Sequence, residues 1–203
     1  MDQNKLEVRY FAEPIEVRAR KDDSGNETIT VAGYAIVFNS LSVDLGQFKE
    51  QIAEAAFTES IRTKPVFAYY AHNKSEVLGR TENNTLRLNP DSKGVAFELD
   101  LPATTRGKDL AISIKRGDIT GVSFGFNVIK DDWSVGEFPV RTVQSGILHE
   151  ISIVADPAYE MASVALRSLD AWKQSQVEAK PEGRTIANLA AEALKKIKLL
   201  EIS

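Results

Sequence analysis

Apolar and polar residues alternate with period two over residues 6–11 and again over 15–19, the spacing of half-buried strands, with Pro14 between them. Residues 28–38 are rich in β-branched side chains and long enough for a further strand, bent at Gly33. From residue 47 the spacing changes. Phe48, Ile52 and Ala56 stand four apart, as do Ala53 and Phe57, which predicts a helix over 47–61 ended by Pro65. Residues 66–70 return to strand composition, and 86–88 with 95–99 flank the turn-forming stretch 89–94 as a hairpin. Thr104 or Thr105 can cap a short helix with Leu110, Ala111 and Ile114 on one face, Lys115 and Arg116 in its last turn and Gly117 just beyond. Residues 119–129, 138–143 and 147–154 bring the total to at least seven strands before Asp156-Pro157 breaks the run.

Beyond that point the pattern divides the chain. Residues 1–168 read as one β-rich domain and 169–183 as a polar linker. Residues 184–203 carry Ile186, Leu189, Ala190, Ala193, Leu194, Ile197 and Leu200 at the spacing of an amphipathic helix. Such a stripe must be covered, by the domain itself, a partner protein or a second copy.

Composition narrows the function. The 203 residues are 43% hydrophobic and 27% charged, which excludes a disordered chain. With 25 basic against 29 acidic side chains and a net charge of -4, broad phosphate neutralisation is excluded and no nucleic-acid partner is expected. There is no cysteine, so disulfides, thiol nucleophiles and thiolate metal sites are ruled out. With only two histidines, His72 and His149, a three-histidine zinc site cannot form, and no metal or organic cofactor is expected. The N-terminus has no signal-like apolar core and no apolar run reaches about 18 residues, so neither that export route nor a membrane span is expected.

The most informative stretch is 118–128. Period two places Val122, Phe124, Phe126 and Val128 on one face and Gly121, Ser123, Gly125 and Asn127 on the other, where a hydroxyl stands between two residues without side chains. Either the glycines admit another backbone beside a nucleophilic serine, or they merely permit a barrel strand to curve. A nucleophilic serine needs a base and the base needs an acid. His72 lies at a strand end. His149 and Glu150 lie within an apolar strand where a carboxylate calls for a partner, and strand alternation lets at most one of the two face Ser123.

In order and spacing these segments resemble the prohead maturation proteases of HK97-type tailed phages, related in fold to herpesvirus assembly proteases. The resemblance covers about residues 6–168. It is carried by Gly33-Tyr34-Ala35-Ile36-Val37-Phe38-Asn39, Ala55-Ala56-Phe57, His72 with Leu78-Gly79-Arg80-Thr81, Arg116-Gly117-Asp118 leading into Ser123-Phe124-Gly125-Phe126, and Glu150-Ile151-Ser152-Ile153-Val154 before Pro157-Ala158-Tyr159. Such proteases often have Gly-Ala-Phe and Asn-His-Asp where this chain has Ala55-Ala56-Phe57 and Ala71-His72-Asn73. With the strand count, the resemblance implies an α+β fold, mainly an antiparallel β-barrel of about seven strands with packed helices; the C-terminal amphipathic helix lies beyond it. It implies a serine endopeptidase with Ser123 as nucleophile, His72 as base and Glu150 as third member; His149 is the alternative third member, and Arg80 is a candidate for oxyanion support. The implied setting is the assembling procapsid in the cytoplasm of a bacterial host. The implied substrates are the scaffolding portion of the major capsid protein and the protease itself; self-association through the C-terminal helix is a reading of its apolar stripe, which lies beyond the resemblance. The rival reading is a non-catalytic capsid assembly or scaffold component that uses the barrel for binding.

Overall fold

A computed structural model describes residues 6–11, 14–21, 27–155 and 169–175. In chain order the elements are β1 (Glu7–Phe11), β2 (Glu16–Lys21), β3 (Glu27–Val37), β4 (Lys49–Ile52), α1 (Thr58–Thr63), β5 (Phe67–Tyr70), β6 (Asn73–Arg80), β7 (Leu86–Pro90), β8 (Gly94–Asp100), α2 (Thr105–Arg116), β9 (Gly121–Trp133) and β10 (Val140–Val154). The fold is α+β, mostly strands with few helices. One sheet runs β1-β9-β10-β5-β6, with β4 also paired to β10; the other runs β2-β3-β8-β7. Most pairs are antiparallel, but β10 pairs in parallel with both β4 and β5. Among the described residues no pairing closes either sheet into the expected barrel. One core joins the sheets: Val31, Ile36, Phe97 and Leu99 from the second share it with Val122, Phe124, Phe126, Leu148 and Ile151 from the first.

The α2 helix forms as its sequence predicts. The Thr104 hydroxyl accepts from the Gly107 N–H, Leu110, Ala111 and Ile114 are buried, and Gly117 takes the left-handed φ of +81° that ends the helix. The expected helix over 47–61 is instead β4 followed by turns and a six-residue α1. The four-residue spacing misled because Glu50, polar by type, is one of the buried residues of β4, and with Ile52 it makes a period-two strand. The two strands expected at 138–143 and 147–154 are a single β10, kept in one ladder by register shifts after Val143, Ser145 and Leu148. Strand β3 is irregular between Tyr34 and Ile36, just past the Gly33 expected to bend it.

The chain divides into two compact units, 1–166 and 167–203. Residues 169–175, read from sequence as the start of a linker, are helical, with Leu169 buried and Trp172 one turn on. The remaining linker and the amphipathic helix expected over 184–203 lie outside the described residues.

Strand β1 inverts the usual pattern: Glu7 and Arg9 are buried while Val8 and Tyr10 are half-buried. Arg9 donates through Nε to Glu50 Oε1 at 2.7 Å and through Nη2 to Glu7 Oε2 at 2.6 Å. Arg141 of β10 reaches Glu7 at 2.9 Å, Glu50 at 3.0 Å and Asp131 at 2.6 Å. Two guanidiniums thus hold three carboxylates from β1, β4 and β9, against the rings of Phe126 and Trp133. Burial would raise the Glu7 carboxyl, but Arg9 and then Arg141 outweigh it and hold it below the ordinary value of 4.5. A depressed carboxyl stabilises the fold fully above its unfolded pKa and loses that contribution as pH falls through the folded one. The urea midpoint is therefore expected to decline as pH falls below about 4.5, and to decline less steeply in Glu7→Gln.

Candidate active site

The β5–β6 hairpin turns on two residues, since Tyr70 pairs with Asn73. Both turn residues, Ala71 and His72, have positive φ, +49° and +58°. This is the demand of the type I′ turn that matches strand twist, and for side chains other than Gly or Asn it is strained. The turn is held from β10: the Ala71 N–H donates to the Ile153 carbonyl at 3.1 Å and the His72 N–H to Ser152 Oγ at 3.2 Å. Ala71 is exposed, so its methyl contributes little packing. Ala71→Gly is expected to stabilise the chain by about 1 kcal/mol, raising Tm by roughly 2–4 °C in a thermal melt.

Glu150 reaches the site through the bulge in β10. Leu148 pairs with Phe126 and Glu150 with Gly125, leaving His149 as the extra residue. The Glu150 carboxylate lies over Gly125, where an added Cβ would come within 2.7 Å of Oε1. His72 Nδ1 sits 2.7 Å from Glu150 Oε1. An ionised carboxylate only accepts hydrogen bonds, so Nδ1 carries the proton and Nε2 is left as the basic nitrogen. The other carboxylate oxygen accepts from the Ser152 hydroxyl at 2.7 Å.

Ser123 pairs directly with Ser152 across the ladder, so it shares the face that carries Glu150. Ser123 is only 3% exposed; its hydroxyl donates to the Arg9 carbonyl of β1 at 2.8 Å, and no hydrogen bond joins it to His72. The neighbouring Gly121 makes room for Tyr10, whose ring would lie 2.1 Å from an added Cβ. Gly121 and Gly125 therefore make room for the side chains of Tyr10 and Glu150. On the same face of β5, Phe67 and Tyr69 stack 5.7 Å apart opposite Glu150 and Ser152. Burial raises the Tyr69 phenol, and the Glu150 charge adds to the effect.

His149 is exposed, and its Nε2 meets Asn127 Oδ1. Because it is the bulged residue, the alternation that would send it to the face opposite Glu150 does not apply; Asn127 stands on the Ser123 face. Burial, then the charge of Lys64, lowers its imidazole, with Glu150 acting the other way. Arg80 stands on β6, with β5 and β10 between it and β9, and its side chain faces Glu82 at 3.5 Å. Among the described residues no group of three or more acids or histidines could hold a metal ion. Ser152 and β1 are the parts of the site that sequence reading missed. The alternation of β10 from Glu150 would have found Ser152, but an apolar run on both sides hid it.

An imidazole backed by a carboxylate, on a sheet face that carries a serine, is the residue set of triad-type serine hydrolases. The family model for the Caudovirus prohead serine protease matches residues 13–175, and the chain belongs to that family. It is 31% identical over 148 residues to the prohead protease of Enterobacteria phage HK97, a match covering 68% of this chain and 60% of the relative, so the chain spans about three fifths of that protein's length. The bacteriophage T4 capsid assembly protease has a similar fold, with a TM-score of 0.54 and 11% identity over 76% of this chain and all of the T4 chain.

Proposed function

We propose that this chain is a serine endopeptidase of procapsid maturation, which cuts the scaffolding portion of the major capsid protein and eventually itself within the assembling particle in the bacterial host. The observation that carries the reading is the His72–Glu150 pair on the sheet face of Ser123, in a chain of the prohead protease family. Ser123 attacks the scissile carbonyl, His72 takes its proton through Nε2 and returns it to the leaving amine, and Glu150 holds the tautomer and balances the imidazolium. For the attack the Ser123 hydroxyl must turn from the Arg9 carbonyl toward His72, a rotation about χ1 between staggered wells. Residues 184–203 are assigned to association with the capsid-protein scaffold or a second protease copy.

One observation favours the non-catalytic rival: the serine is buried and bonded to β1. Mass spectrometry of the capsid protein after co-expression with the native or the Ser123→Ala chain decides between them. Cleavage by the native chain alone supports the protease. Intact capsid protein in both, with no fluorophosphonate labelling of Ser123 in assembled particles, supports the rival.

A further inference from the structure

The catalytic base sits on a turn that its own residues do not favour. Ala71 and His72 both occupy the left-handed region, which residues other than Gly, Asn or Asp rarely adopt. Strained residues persist where their surroundings over-determine them. Here the surroundings are one strand, β10, and its central contact is Ser152. This residue is wholly buried, and its single hydroxyl does two things at once: it donates to Glu150 Oε2 at 2.7 Å and accepts the backbone N–H of His72 at 3.2 Å. The ring of His72 meets Glu150 at the other carboxylate oxygen. Ser152, Glu150 and His72 therefore close a ring of hydrogen bonds in which the base is held by its backbone and by its imidazole. Neither hold alone fixes the ring. A carboxylate free to rotate would carry Nδ1 with it, and a turn free to relax toward ordinary φ would move the whole side chain.

We propose that Ser152 is a positioning residue of the protease, a clamp that sets both the rotamer of Glu150 and the strained turn of His72, and so the placement of Nε2 toward Ser123. The inference rests on the triad reading above. It separates two serines that stand opposite each other on one face: Ser123 reacts and Ser152 holds. Removing the Ser152 hydroxyl leaves a part-buried N–H without its acceptor and a buried carboxylate oxygen without its donor, so the turn and the acid both lose their reference. Displacements of the order of an ångström at a catalytic group cost about a hundredfold in rate, and the loss falls on the chemical step rather than on binding.

The test uses the full chain and a fluorophosphonate probe, with labelling at Ser123 resolved into a saturation constant and a maximal rate. In Ser152→Ala the maximal rate is expected to fall about 10–100-fold with the saturation constant changed less than twofold. The second readout is the imidazole nitrogen spectrum. The chain has only two histidines, so His149→Ala assigns both rings. His72 should show a single Nδ1–H tautomer in the native chain and a mixed or Nε2–H population in Ser152→Ala, while His149 stays unchanged. A native labelling rate together with an unchanged His72 tautomer overturns the clamp. If the native chain is not labelled at Ser123 at all, it is the protease reading that fails, and the tautomer comparison still decides whether Ser152 holds His72. Should Ser152→Ala not fold, Ser152→Cys, close in size and a weak donor, is read in the same two ways, with an intermediate tautomer shift expected and an unchanged one overturning the proposal.

Discussion

Ser123→Ala is expected to abolish cleavage of the capsid protein, and His72→Ala to reduce it by at least about 10⁴-fold, because members of a triad act as a unit and removing one forfeits most of what all supply. The two substitutions differ in what they leave behind. Ser123→Ala removes a hydrogen bond to the Arg9 carbonyl, worth about 1 kcal/mol, so its circular dichroism and urea midpoint should stay near those of the native chain. His72→Ala leaves the buried Glu150 carboxylate with Ser152 as its hydrogen-bond partner among the described residues. Part of its loss will therefore register as lower stability, which the urea midpoint separates from lost chemistry. Glu150→Gln should keep the fold and lose on the order of 10³–10⁴ in rate, since an amide can bond to Nδ1 but cannot balance an imidazolium. Full turnover in Glu150→Gln would move the third role to His149. Full turnover in Ser123→Ala would end the serine mechanism.

Arg141→Ala is expected to have the largest effect on stability. Its guanidinium reaches the buried Glu7 and Glu50 and the half-buried Asp131. Without it Arg9 alone would face the carboxylates of Glu7 and Glu50, and Asp131 would lose its ion pair. Breaking a buried pair costs about 3–5 kcal/mol because the surviving charges stay desolvated, and that is a large share of the roughly 5–15 kcal/mol by which a domain is stable. Urea denaturation should show the midpoint falling sharply. Arg141→Lys is expected to recover only part of the loss, since a single ammonium cannot fork to three carboxylates. An unfolding free energy within about 0.5 kcal/mol of native for Arg141→Ala would show that the cluster is held without this residue.

How far the sequence could be read depended on whether polarity tracked burial. It did in α2, where Thr104, the apolar face and Gly117 spell out the helix, and in β9, where Val122, Phe124 and Phe126 line the core and Ser123 stands on the other face. It failed at the buried charge cluster of β1, β4 and β10. Glu7, Arg9, Glu50 and Arg141 look like the wet side of their strands, yet each is inside, because they neutralise one another across strands far apart in the chain. No local pattern announces a partner 41 or 134 positions away. Strand β6 was hidden for the opposite reason: Asn73, Lys74 and Ser75 are exposed at an edge and look like loop. At the site, the residues alone leave His149 and Glu150 open as partners for His72 and Ser123, and the set His72, Ser123 and Glu150 is what the family resemblance implies. Their arrangement could not be read, since it depends on a bulge at His149 and on a turn whose residues, Ala71 and His72, are poor advertisements for positive φ.

The order of strands in the two sheets also sets an order in time. Every strand of the β2-β3-β8-β7 sheet has been synthesised by Asp100, whereas the other sheet is organised around β10, the neighbour of β4, β5 and β9, which ends at Val154. Strand β1, the earliest of these strands in the chain, waits more than a hundred residues for its partner β9, and non-local pairings of this kind form slowly. His72 and Ser123 are both made before the strand that brings them to one face and supplies Glu150. A nascent or truncated chain that stops short of β10 therefore carries His72 and Ser123 without the strand that places them on one face, and on the proposed mechanism cleavage is expected only once β10 has joined the sheet.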